Sequence, residues 1–371
     1  MEMEGHTMGE TQRVLSSEYL EWAKTQAHAR FNLATSGVTP YPIRELGVTL
    51  DDIDLSGSSF YGYEPLQRAL AAKCGVSVEN VVAATGTSLA NHLAMAAVLQ
   101  PGDEVVMEQP IYEPLLALAR YLGAEVTRFE RRPEEGFRID EREVRRRVSS
   151  RTRLIVISNL HNPSGALTDE PALLALRDIA GNAGARILVD EVYLETLWAY
   201  PTRSAFHLGR EFIVTGSLTK AYGLSGLRCG WILAEPDLAK KIWRLGDLFT
   251  VIPAHAAERL SVVALGHLDR IRERAKTLLE KNRALLDRFL DSRPDLRVTR
   301  PEFGTVVFPR WAGGNTARLC DLLRTKYETT VVPGRFFGMP DHFRIGIGGE
   351  TDMTSAGLER LAAALDDPAA R

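Results

Sequence analysis

The chain has 371 residues, enough for one large and one smaller domain. A hydrophobic content of 45% and a charged content of 25% suit a soluble globular protein, and a net charge of −3 offers no general attraction to nucleic acid or to an anionic membrane. Three scattered cysteines (Cys74, Cys229, Cys320) argue against a disulfide framework and against a cysteine-rich zinc site. The acidic N-terminus (Glu2, Glu4, Glu10) lacks the apolar run of a signal peptide, and no run is long enough to span a bilayer. A cytoplasmic location is therefore expected.

From the N-terminus, Ser16 or Ser17 caps a predicted helix running to about Phe31, with Tyr19, Leu20, Ala23 and Ala27 on its apolar side. Asn32–Pro42 reads as extended and turn-rich around Gly37, Pro40 and Pro42. Alternation then sets in: helix Pro65–Cys74, strand Val78–Ala84, helix Ser88–Leu99, strand Glu104–Glu108, helix Pro114–Leu122 and strand Glu125–Phe129. The alternating charges Glu141, Arg142, Glu143, Arg145, Arg146 and Arg147 read as a solvated helix face. Strand Leu154–Ser158, helix Glu170–Ala180, and strands Ala185–Val189 and Phe212–Val214 continue the series. Uniformly apolar strands alternating with helices imply parallel strands covered on both faces. Strand Cys229–Ala234 arrives after a short loop and is expected to run antiparallel. A long helix, Leu268–Leu290, bridges to a smaller sheet (Arg297–Thr299, Thr305–Phe308, Thr330–Val332, His342–Ile347) and a last helix, Thr354–Leu365.

The chemistry-bearing residues fall at the carboxyl ends of predicted strands, where α/β folds hold small ligands. The most informative is Lys220 in Ser217-Leu218-Thr219-Lys220, with Arg228 further on. A desolvated lysine there loses its proton near neutral pH and attacks a carbonyl to form a Schiff base. Ser217 and Arg228 suit an anion. An amine-reactive carbonyl beside a phosphate is what pyridoxal 5'-phosphate presents. Thr85-Gly86-Thr87-Ser88 opens a helix after a strand, as an anion site or as a plain capped turn. Asn162, in Asn162-Pro163-Ser164-Gly165, has an amide that can reach a phenolate oxygen, though Asn-Pro is also a common turn. Asp190 ends a strand, where a buried carboxylate needs a cation such as a protonated pyridine, and Tyr193 follows it closely. Tyr112 is either a ring-stacking residue or a core tyrosine. Arg344, in an apolar strand, needs an anion, from a substrate carboxylate or from an internal acid.

In this order the motifs resemble the class I/II aminotransferases, pyridoxal-phosphate enzymes of fold type I in the aspartate aminotransferase superfamily, over about Asn32–Ile347. The resemblance implies an α/β fold: a large domain (46–265) with a mostly parallel seven-stranded sheet, and a smaller domain built from both chain ends (1–45 and 266–371). It implies Lys220 as Schiff-base lysine and proton shuttle, Asp190 on the pyridine nitrogen, Asn162 and Tyr193 on the phenolate oxygen, and Tyr112 on the ring face. Gly86, Thr87, Ser217 and Arg228 would hold the phosphate, with Ser88 and Thr219 also binding the cofactor, while Arg344, Asn162 and Gly37 would hold the substrate carboxylate. A homodimer with shared sites follows, Tyr61 reaching the neighbour's phosphate in a compressed segment, Gly57–Tyr63. Tyr41, Arg44, His161, Trp198 and Tyr200 are candidates for reading the substrate side chain. The implied reaction is transamination between an L-amino acid and a 2-oxo acid, and the same scaffold also serves C–S lyases, oxidases and amine-cyclising synthases.

Overall fold

In the computed structural model, which describes residues 14–198 and 203–371, the chain opens with α1 (Glu18–Thr25) and β1 (Phe31–Asn32). The first helix is shorter than its apolar pattern predicts. Gln26 leaves helical geometry, and Phe31 pairs with Thr329 instead, so burial in a sheet wins over continuing the helix. There follow α2 (Glu64–Cys74), β2 (Val81–Thr85), α3 (Gly86–Ala96), β3 (Glu104–Gln109), α4 (Glu113–Tyr121), β4 (Glu125–Glu130), α5 (Glu141–Arg147) and β5 (Thr152–Ser158). Next come α6 (Glu170–Ala183), β6 (Arg186–Asp190), β7 (Phe212–Ser217) and β8 (Cys229–Leu233). Val78–Asn80, expected as strand, is a 3₁₀ turn leading into β2.

Strands β2 to β8 form a seven-stranded sheet in the order β2-β8-β7-β6-β5-β3-β4. All run parallel except β8, which is antiparallel to both β2 and β7. The loop from Leu218 to Arg228 holds only a single 3₁₀ turn, Ser225–Leu227, too little for a crossover helix. Residues alternate between the faces. Leu154 and Val156 pack into one core, Ile155 and Ile157 into another. The carboxyl ends of β2, β3, β5, β6 and β7 thus lie along one edge.

Two helices missed in the sequence reading, α7 (Pro236–Thr250) and α8 (His255–Leu265), follow β8 and precede α9 (Leu268–Asp291). That helix places Ile271 in the core of the large sheet and Ala275, Leu279, Leu286 and Phe289 in a separate core. The remaining elements are β9 (Leu296–Arg297), β10 (Val306–Val307), β11 (Arg310–Trp311), α10 (Thr316–Lys326), β12 (Thr329–Thr330), β13 (Val332–Pro333), β14 (Phe343–Gly346) and α11 (Thr351–Asp366). Strand β14 lies between β10 and β13. The second core takes Leu33 and Val38 from near the N-terminus along with C-terminal residues. No helix among the described residues is long and apolar enough to cross a membrane.

Candidate active site

A cavity of about 460 Å³ opens along the carboxyl edge of the large sheet, in the range of small-molecule sites. Lys220 lies just past the end of β7 and projects into it. Its Nζ donates to Ser36 Oγ at 3.0 Å. Burial lowers the Lys220 pKa to about 8; Arg344 and Arg228 push the same way and Asp190 opposes them. Gly37 follows Ser36 along the lysine, and a Cβ there would sit 3.2 Å from Lys220 Cδ.

Asp190 ends β6 and is buried. Burial pushes its carboxyl up, against hydrogen bonds from Asn91 Nδ2 (2.9 Å) and Val192 N (3.1 Å). Asn91 is held in turn by Thr215 Oγ1, which donates to Asn91 Oδ1 at 2.6 Å. No cation lies within 4 Å of Asp190 among the described residues. The ring of Tyr193 lines the same cavity, its phenol pushed up to about 12 by burial. Asn162 follows β5, its backbone N–H donating to Ser158 Oγ at 3.0 Å.

Arg344 comes from β14 and is fully buried. It donates to Asn162 Oδ1 (2.8 Å), Tyr19 Oη (3.0 Å) and the Ala34 carbonyl (3.2 Å), all neutral. Its Nε has no hydrogen-bond partner. At the other end, α3 begins at Gly86, with Thr87 and Ser88 in its first turn and on the cavity wall. Gly86 has a φ of +77°, a conformation that favours glycine, and a Cβ there would fall 2.3 Å from Arg228 Nη2. Arg228 itself takes a φ of +51° and reaches the Thr85 carbonyl at 3.4 Å. Ser217 and Thr219 also line the wall, and Thr87 Oγ1 is buried without a partner.

Tyr112 lines the cavity, its ring centroid 5.5 Å from that of Tyr19 in an edge-on arrangement. Tyr61 does not reach this cavity: it is exposed and donates to Asp247 at 3.2 Å. Of the residues considered for the substrate side chain, none lines the cavity among the described residues. His161 is buried between Ser164 Oγ (2.6 Å) and the Pro110 carbonyl (2.9 Å). Tyr41 packs under Arg274, Arg44 borders a separate cleft, Trp198 leans on the second core, and Tyr200 lies outside the described residues. Sequence reasoning missed Ser36, Asn91 and Tyr19. A polar Asn91 on the apolar side of α3, beside Ala90 and Ala94, was a readable signal; Ser36 and Tyr19 offered none.

The residues present fit pyridoxal 5'-phosphate. The half-buried amine suits its aldehyde, the unpaired carboxylate its ring nitrogen, and the Gly86 cradle with Arg228 and the unpartnered Thr87 hydroxyl its phosphate.

Comparison with known proteins agrees with this geometry. The chain is 33% identical over 347 residues to capreomycidine synthase of Streptomyces vinaceus, covering 90% of this chain and 89% of that one. It superposes with a TM-score of 0.89 on a PLP-dependent aminotransferase from Streptococcus suis at 27% identity, covering 95% and 98% of the two chains. The PLP-dependent cyclase OrfR gives 0.85 at 27% identity, over 97% of this chain and 99% of that one. A sequence model of the family described as aminotransferase class I and II matches residues 55–365, and the chain belongs to that family of pyridoxal-phosphate-dependent proteins.

Proposed function

We propose that the chain is an aminotransferase moving an amino group between an L-amino acid and a 2-oxo acid. The observation that carries this reading is Lys220: a half-buried amine just past β7 that donates to Ser36, its pKa lowered to about 8, with the Asp190 carboxylate and the Arg344 guanidinium acting on it in opposite directions. When bound, the cofactor supplies an amine-reactive aldehyde and a ring that accepts the electron pair released at the substrate's Cα.

Lys220 would hold the cofactor's aldehyde carbon, and its free amine would serve as general base for the substrate's Cα proton. Asp190, kept in place by Asn91, faces the ring nitrogen and favours its protonated form. Asn162 and Tyr193 face the ring's phenolate oxygen, and Tyr112 packs on the ring. Gly86, Thr87, Ser88, Ser217, Thr219 and Arg228 surround the phosphate. Arg344 and Asn162, with the backbone at Gly37, fix the substrate carboxylate. Two subunits share their sites, each lending Tyr61 to the other's phosphate. Residues 46–265 form the cofactor-binding domain, and 1–45 with 266–371 the smaller one.

A second reading, intramolecular cyclisation, is favoured by the 33% identity to capreomycidine synthase and the likeness to OrfR. It begins with the same Cα proton. A β-substituent would then leave with its bonding pair, an amine of the same molecule would bond to the β-carbon and give up a proton, a proton would return to Cα, and the α-nitrogen would be retained. An amino acid labelled with ¹⁵N at the α-position, incubated with a 2-oxo acid, separates the readings. Label recovered in a second amino acid supports transamination; label kept in a cyclic product supports cyclisation. Release as ammonia, with sulfide or peroxide, would move the assignment to a lyase or an oxidase.

A further inference from the structure

We propose that Tyr19 is a positioning residue for Arg344, and that through it the seating of α1 is coupled to carboxylate occupancy of the site. This rests on the reading of Arg344 as the substrate-carboxylate ligand.

Tyr19 lies in the first turn of α1, with its side chain buried. Its hydroxyl accepts from Arg344 Nη2 at 3.0 Å, and the Arg344 guanidinium carbon lies 5.7 Å from its ring centroid. Without that hydroxyl, Nη2 keeps only the longer contact to the Ala34 carbonyl at 3.2 Å. A phenol orients the fork of donors and leaves its charge intact. A carboxylate in the same place would neutralise the guanidinium and compete with the substrate for it. The absence of any acid among these partners therefore matters: Arg344 is aligned but left available.

The helix carrying Tyr19 has eight residues, too few to stand on their own helical propensity. Tertiary contacts seat it. Ser17 Oγ accepts from Leu20 N at 3.1 Å and donates to the Glu113 carboxylate, which also accepts the backbone N–H groups of Glu18 and Tyr19. Glu113 follows Tyr112, whose ring meets the Tyr19 ring edge-on at 5.5 Å. Trp22 and Tyr19 rest on Phe336 at 5.4 and 5.8 Å. One connected path thus runs from Glu113 through the first turn of α1 to Arg344. Coupling along it is reciprocal: a seated α1 raises carboxylate affinity, and a bound carboxylate holds α1 in place.

The test uses cofactor-loaded full-length protein and 4-methylvalerate, a carboxylate without an amine to react. Its affinity is measured by calorimetry, and α1 is followed by hydrogen exchange over residues 16–26. Wild type is expected to show slower exchange when the probe binds. Tyr19→Phe, which keeps the ring, should weaken the probe about tenfold and erase that protection, as loss of one hydrogen bond to a charged group implies. Glu113→Gln should do the same more weakly, about threefold. It also decides the matter if Tyr19→Phe proves unstable. Wild-type affinity and protection in the folded variants would overturn the proposal. Arg344→Gln separates the two claims. If it abolishes binding while Tyr19→Phe changes nothing, the Tyr19 inference alone fails. If Arg344→Gln binds the probe normally, the reading of Arg344 fails as well.

Discussion

Two regions of the molecule bury opposite charges and treat them differently. Behind Asn162, Glu108 and Arg131 are both fully buried and neutralise each other at 2.7 Å. Arg131 also donates to the Phe137 carbonyl and to Thr168, and Glu108 accepts from the backbone and side chain of Ser158. Every charge there has an internal answer. Asp190, on the cavity wall, and Arg344, which donates to Asn162 of that wall, are also buried, yet each meets only neutral groups within 4 Å among the described residues. Burying an uncompensated charge is costly. A fold that tolerates two of them, of opposite sign and beside a lysine with a lowered pKa, is arranged for a ligand that brings both counter-charges. The paired region is structural and links to the site through Ser158, which accepts from the Asn162 backbone.

Experiments that break this contrast can be ranked by size. Lys220→Ala should reduce turnover by at least about a thousandfold, read as product formed per site, if Lys220 is the Cα base proposed above. Asp190→Ala should leave some cofactor bound, seen as visible absorbance, but slow Cα proton exchange with solvent by roughly a hundredfold; an unchanged rate would contradict the role given to Asp190. In the paired region, Arg131→Met should cost roughly 3–5 kcal/mol in denaturant unfolding, since it orphans the buried Glu108. Arg344→Gln should change the stability of the ligand-free protein by no more than about 1 kcal/mol, because no partner charge is orphaned. Equal losses in the two variants would erase the distinction between the regions.

The sign of the pH dependence follows from Lys220. Burial lowers its pKa to about 8, so the reactive free amine accumulates as pH rises, reaches half at about that pH and about nine-tenths one unit higher. The rate at which cofactor-free protein captures pyridoxal 5'-phosphate should climb about tenfold per pH unit below that value and then level off. A rate still climbing steeply at pH 10 would place the lysine near its ordinary value.

The gathering of these residues along the cavity was legible because each is local to a strand end. Continuous apolar runs mark buried parallel strands; Asp190 ends one of them, and Thr87, Asn162 and Lys220 stand just beyond others. The antiparallel course of β8 was legible from a short connection. The surroundings of Arg344 are assembled differently. Arg344 meets Tyr19 and Ala34 across 325 and 310 residues of chain and Asn162 across 182, and nothing in the local pattern around Tyr19 announces that encounter. Helices α7 and α8 escaped notice for a related reason. Neither has a side-chain N-cap, and α7 ends in exposed Leu248 and Phe249, which blur its apolar stripe.

The most direct measurement is to load the protein with pyridoxal 5'-phosphate, reduce it with borohydride, and map the attached group by peptide mass spectrometry. The account predicts a single pyridoxyl group on Nζ of Lys220, lost in Lys220→Ala. A label on another lysine, or none on a protein that still turns over, would contradict it.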